Sequence, residues 1–134
     1  MKSFIDSYGE NAGKIWTTLN TYGPLNETNL IEKTKLTKNN FYAAIGWLAR
    51  ENKVYRDGNN FYLGKTNLTN TIGKNAGKIY KTLYTTKEAD VSFISNKIKT
   101  TEKEIFYALG WLARENKIYI WQGKNRFDHK IKLI

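Results

Sequence analysis

The chain has 134 residues, 40% hydrophobic and 25% charged, with four Trp, nine Tyr and six Phe, a globular composition able to core one ordinary domain or two very small ones. It contains no cysteine, which excludes disulfides, thiolate nucleophiles and sulfur-ligated metals, and no apolar run near the roughly 18 residues of a membrane span. The formal charge is +10 and unevenly shared: residues 1–65 hold nine Lys/Arg against six Asp/Glu, and residues 66–134 hold thirteen against six. Such a balance attracts phosphate backbones or acidic partners, and it also serves plain solubility. The opening Met1-Lys2-Ser3-Phe4-Ile5-Asp6 lacks the apolar stretch of a secretory signal, so a cytoplasmic location is expected. Two glycosylation sequons, at Asn26 and Asn67, are chance matches in an Asn- and Thr-rich chain.

An internal repeat organises everything else. Gly9-Glu10-Asn11-Ala12-Gly13-Lys14-Ile15-Trp16 returns as Gly73-Lys74-Asn75-Ala76-Gly77-Lys78-Ile79-Tyr80. Gly46-Trp47-Leu48-Ala49-Arg50-Glu51-Asn52-Lys53 returns unchanged at residues 110–117. Both pairs share an offset of 64, so one unit has been duplicated without insertion between the blocks. The lobes are expected at 1–65 and 66–134, with the polar stretch 65–71 as the linker.

Within a lobe, Tyr8, Ala12, Ile15 and Leu19 fall on one helical face, repeated by Ile72, Ala76, Ile79 and Leu83. Gly23-Pro24 stops this helix in the first lobe. A short second helix is predicted from Thr28, or Ser92 in the second lobe, each a good N-cap. A third helix starts at Thr37 or Thr101; Thr101-Glu102-Lys103-Glu104 has the form of a capping box. Its inward face is Phe41, Ala44, Ile45 and Leu48, echoed by Ile105, Ala108, Leu109 and Leu112. Strand-like patterning follows: 54–56 and 60–63 around an Asp57-Gly58 turn, and 118–121 with a return strand 126–133 around Gln122-Gly123-Lys124-Asn125. Three helices and a β-hairpin in about 60 residues make a winged helix-turn-helix. The expected class is α+β, mainly α, with two such lobes packed as a pseudo-dimer.

The run from Gly-x-Asn-Ala-Gly-Lys-Ile-Trp to Gly-Trp-Leu-Ala-Arg-Glu-Asn-Lys resembles the small prokaryotic winged helix-turn-helix domains first catalogued as a domain of unknown function. Both lobes carry it, so the resemblance spans nearly the whole chain. It implies a DNA-binding role, and it implies that a tandem copy is a covalent version of a homodimer. The second lobe departs from it with Tyr80 in place of Trp16 and with a longer wing.

In a DNA-reading winged helix the outward face of the third helix enters the major groove. Here that face reads Asn39, Tyr42, Ala43, Gly46, Trp47 and Arg50, and Lys103, Phe106, Tyr107, Gly110, Trp111 and Arg114. A surface so apolar marks contact with protein rather than bases. The expected lobe–lobe interface is therefore Tyr42, Gly46, Trp47, Phe106, Gly110 and Trp111 from the third helices. The first helices add a small-small-large stripe, Gly9, Gly13 and Trp16, with Gly73, Gly77 and Tyr80. Glycine inside a helix costs about 1 kcal/mol against alanine, and close approach of a partner would justify it. DNA contact then falls to the start of the third helix (Lys35, Lys38, Asn39; Lys99, Lys103) and to the wings (Arg56; Lys124, Arg126, Lys130). Trp121, beside the second wing, is read as packing.

No catalytic pattern emerges. Gly9 to Lys14 imitates a phosphate loop, but its glycine spacing is one residue short and Ile15 stands where Ser or Thr would hold magnesium. His129, the one histidine, follows Asp128 on an alternating strand, so the two point to opposite faces. Glu51 and Glu115 read as surface or lobe-stabilising charges. No cofactor, metal or small-molecule ligand is suggested, and an enzyme is not expected. The leading expectation is a module for double-stranded DNA, a regulator or architectural factor with weak sequence selectivity. A protein-interaction scaffold is the alternative.

Overall fold

The computed structural model describes residues 3–124 and 128–134. In the first lobe α1 (Phe4–Tyr22), β1 (Leu25–Asn26), α2 (Glu27–Thr34), α3 (Lys38–Arg50), β2 (Val54–Asp57) and β3 (Asn60–Leu63) follow in order. The second lobe has α4 (Lys74–Thr86), β4 (Glu88–Asp90), α5 (Val91–Ile98), α6 (Glu102–Arg114), β5 (Ile118–Gln122) and β6 (His129–Leu133). The predicted stripes are the cores: Tyr8, Ala12, Ile15 and Leu19 are buried, as are Ile72, Ala76, Ile79 and Leu83.

Helix ends explain the most repetitive part of the sequence. Thr37 and Thr101 cap α3 and α6, their hydroxyls accepting the Asn40 and Glu104 amides at 3.2 Å. At the other end Asn52 and Asn116 adopt φ of 63° and 58°. Asn52 N–H donates to Ala49 O at 2.9 Å and Lys53 N–H to Leu48 O at 3.0 Å, with the same pair of bonds in α6. That is a Schellman ending with asparagine in the left-handed position. The invariant Leu-Ala-Arg-Glu-Asn-Lys block is thus a helix terminus as well as an interface.

Four details depart from the sequence reading. The second helices start two residues early, because Asn26 and Asp90, not Thr28 and Ser92, accept the capping amides of Asn29 and Phe93. Asp57 pairs with Asn60, so the turn of the first wing is Gly58-Asn59, with Gly58 at φ 62°. Each wing gains a third strand: β1 pairs with β3 through Leu25 and Phe61, and β4 with β6 through Ala89 and Ile131. Strand orders are β1-β3-β2 and β4-β6-β5. Part of the predicted linker is helical, a π-turn at Thr69–Gly73 that runs straight into α4. The linker is also tied down. The Asn67 amide accepts from Arg56 N–H at 3.0 Å and donates to Arg56 O at 2.8 Å, serving the edge of β2 as a partner strand would. The predicted start of the second return strand, at 126, lies outside the described residues.

Candidate nucleic-acid interface

Helices α3 and α6 lie against each other along the faces that would enter a groove. From Phe41 to Ala49 only Trp47 is not fully buried, and Tyr42 and Tyr107 meet with ring centroids 5.0 Å apart. The helices touch backbone to backbone at Gly46 and Gly110. A Cβ on Gly46 would overlap the Tyr107 carbonyl and sit 3.1 Å from Trp111 N; one on Gly110 would overlap the Ala43 carbonyl. Only glycine permits that approach. Phe106 is buried in the same seam and packs edge-on against His129 at 5.5 Å. Reciprocal ion pairs close the C-terminal ends, Arg50 Nε to Glu115 Oε2 and Arg114 Nε to Glu51 Oε2, each 3.0 Å. The same guanidinium groups lie over Trp111 and Trp47 of the opposite lobe, 5.8 and 5.9 Å from the ring centroids.

The other interface candidates do not reach the seam. Gly9 and Gly73 each receive the indole of their own lobe, Trp47 or Trp111, 3.0 Å from where a Cβ would stand. Gly13 and Gly77 meet nothing within 4 Å. Trp16 and Tyr80 remain 40% and 39% exposed. The physical reason is rotation: on α1 and α4 these residues point along an open groove between the first helix and the end of the third, lined also by Glu51 and Lys53, or Glu115 and Lys117.

Each lobe is thus three helices completed by a three-stranded wing. The profile of the winged helix-turn-helix domain family DUF2582 matches twice, at residues 1–64 and 67–128. The chain belongs to this family. Nothing among curated proteins or solved structures matches it. In general terms the family's fold is a frame for nucleic-acid binding or regulation, and DUF2582 carries no finer assignment.

The DUF2582 lobes place the predicted basic residues in three situations. Lys35, Lys38, Asn39 and Lys99 are exposed at the turns leading into α3 and α6, and Lys124 is exposed at the second wing. Lys103 and Lys130 are engaged: Lys103 with Glu27 at 3.7 Å and over the Tyr42 ring, Lys130 with Asp90 and Asp128 at 3.8 and 3.9 Å. Arg56 is exposed, but its Nε donates to Gly58 O at 3.1 Å and its guanidinium lies 5.6 Å over Phe61. Arg126 lies outside the described residues. Trp121 is half-buried under Lys132, 5.9 Å from its ring.

Glu27 organises the near end of the seam. It accepts from the Tyr42 hydroxyl at 3.1 Å as well as pairing with Lys103. Burial first, and the neighbouring Glu27 carboxylate second, push the Tyr42 phenol above its ordinary pKa.

Sequence reasoning missed one basic feature. Lys74, Lys78 and Lys81 are all exposed on α4, spaced 4 and 3, hence one stripe. Their counterparts in α1 are Glu10, Lys14 and Thr17, so most of the excess charge of the second lobe sits here. A position-by-position subtraction of the two repeats would have found it.

Proposed function

We propose that this protein is a regulator or architectural factor that holds double-stranded DNA through its phosphates, with little sequence preference. The observation that carries the reading is the distribution of unpaired cations. Five carboxylates, Glu27, Glu51, Glu115, Asp90 and Asp128, are engaged in ion pairs. Lys35, Lys38, Lys74, Lys78, Lys81 and Lys99 are exposed and form no ion pair among the described residues. The middle of both reading helices is closed to bases, so affinity comes from phosphate contacts and counterion release.

The test is fluorescence anisotropy of a labelled random-sequence duplex at about 50 and 200 mM salt. Micromolar binding should weaken by about tenfold or more between them. Replacing Lys74, Lys78 and Lys81 by Gln should lower the log–log salt slope by about 3. Absence of binding at the lower salt sinks the reading. The second reading, a protein scaffold, would then lead. It draws on the two open grooves in which Gly13, Trp16 and Trp47, or Gly77, Tyr80 and Trp111, stand ready for a partner side chain.

A further inference from the structure

A cavity of about 180 Å³ lies where the first wing meets the second lobe. Phe61 of β3, Leu68 of the linker and Ile72 of the π-turn make its apolar walls, and Arg56, Thr71, Glu104 and Tyr107 bring its polar groups. Tyr107 is 5% exposed, and its hydroxyl is the one buried side-chain polar atom among the described residues without a hydrogen-bond partner. Buried polar groups are normally satisfied, so an orphan on a cavity wall asks for a ligand. Burial first and the Glu27 carboxylate second push the Tyr107 phenol above its ordinary pKa, while Arg56 lowers it and Glu104 raises it; Arg56 and Glu104 form no ion pair with each other.

The residues that line the cavity are not repeated in the other half. Offset by 64, Ile72 answers to Tyr8, Leu68 to Phe4, Glu104 to Asn40, Tyr107 to Ala43 and Arg56 to Ile120. In that half Tyr8 is fully buried and the Phe4 ring packs at a tilt against His129, centroids 5.0 Å apart, so rings occupy the corresponding region. The two copies differ at every one of these positions. The differences remove the rings of Phe4 and Tyr8, place a phenol at 107 where the other copy has Ala43, and add two opposite charges.

We infer that this cavity binds a free aliphatic amino acid, its carboxylate toward Arg56, its ammonium toward Glu104 and its side chain on Phe61, Leu68 and Ile72. The Tyr107 hydroxyl then donates to the ligand carboxylate. A dry cavity of about 150 Å³ holds benzene, so a ligand of leucine's size is the right scale. This inference does not depend on DNA binding.

Calorimetric titration and thermal shift of the full chain with L-leucine, L-valine and L-isoleucine test it. At least one should bind saturably with one site per chain and raise the melting temperature, because the walls come from both lobes. Isoamylamine, lacking the carboxylate, and 4-methylpentanoate, lacking the ammonium, should each bind about tenfold more weakly or worse. Tyr107→Phe should weaken binding several-fold without lowering the ligand-free melting temperature. Ile72→Tyr, which installs the residue of the other half, should abolish it; Glu104→Gln serves should that variant misfold. No saturable binding at about 10 mM, either analogue binding as tightly as the amino acid, or affinity unchanged in Tyr107→Phe and Glu104→Gln would overturn the assignment.

Discussion

Lys35 and Lys99 end α2 and α5 in the left-handed region, at φ 61° and 58°, where asparagine or glycine is easier to accommodate. Lysine in both copies of a costly position is a local conflict between backbone preference and side-chain chemistry. Such conflicts gather at functional positions. The two residues stand at the helix-turn-helix turns, exposed, where a duplex backbone would pass. A double variant Lys35→Asn with Lys99→Asn separates the two demands. Urea unfolding should show stability unchanged or raised by about 0.5–1 kcal/mol, because asparagine tolerates the left-handed conformation. DNA affinity should fall, with the salt slope reduced by about 2. Lower stability with unaltered DNA binding would make these lysines structural.

At the scale of elements, glycine supplies a paired experiment. Gly46→Ala and Gly110→Ala gain about 1 kcal/mol of helix propensity each, but the added carbon meets a backbone carbonyl that cannot rotate away. Overpacking costs about 1–3 kcal/mol even against side chains that can move, so it wins here and the seam must open. Gly13→Ala and Gly77→Ala add the same carbon to empty space and should stabilise by about 0.5–1 kcal/mol. Opposite signs in the urea midpoints are the expected outcome. The same glycines show what was legible beforehand. Helix periodicity and the 64-residue offset gave away six helices, the core stripes and the apolar reading face, because each rests on many residues in one register. Strands β1 and β4 were invisible: two or three residues show no alternation, and their last residues, Asn26 and Asp90, double as helix caps. Gly13 lies off the correctly read core stripe and meets nothing within 4 Å; periodicity gives the face that turns inward but not whether a partner covers the face beside it. The α4 lysine stripe was legible in principle, and the cavity was not, since it arises from residues distant in sequence.

For the whole molecule the question is whether duplication made two folding units or one. A domain of about 60 residues buries too little surface to be more than marginally stable alone. Here each lobe lends its third helix to a common core: Tyr42, Ala43 and Gly46 are covered by α6, and Phe106, Tyr107 and Gly110 by α3. Separating the lobes would expose that apolar seam and leave Glu51 and Glu115 without their cross-lobe arginines. The arginines of these pairs are half-exposed and each pair contributes about 0–1 kcal/mol, so the buried seam decides. One cooperative transition is therefore expected. At about 0.7 kcal/mol per residue near 60 °C, the full chain should unfold with an enthalpy of about 90 kcal/mol, and the van 't Hoff value should equal it. Independent lobes would instead give a van 't Hoff enthalpy near half the calorimetric one, or two resolved peaks. The Gly46→Ala chain is the internal control. Forcing the helices apart should lower the ratio of van 't Hoff to calorimetric enthalpy, whereas a lobe pair coupled only through its linker would keep that ratio unchanged.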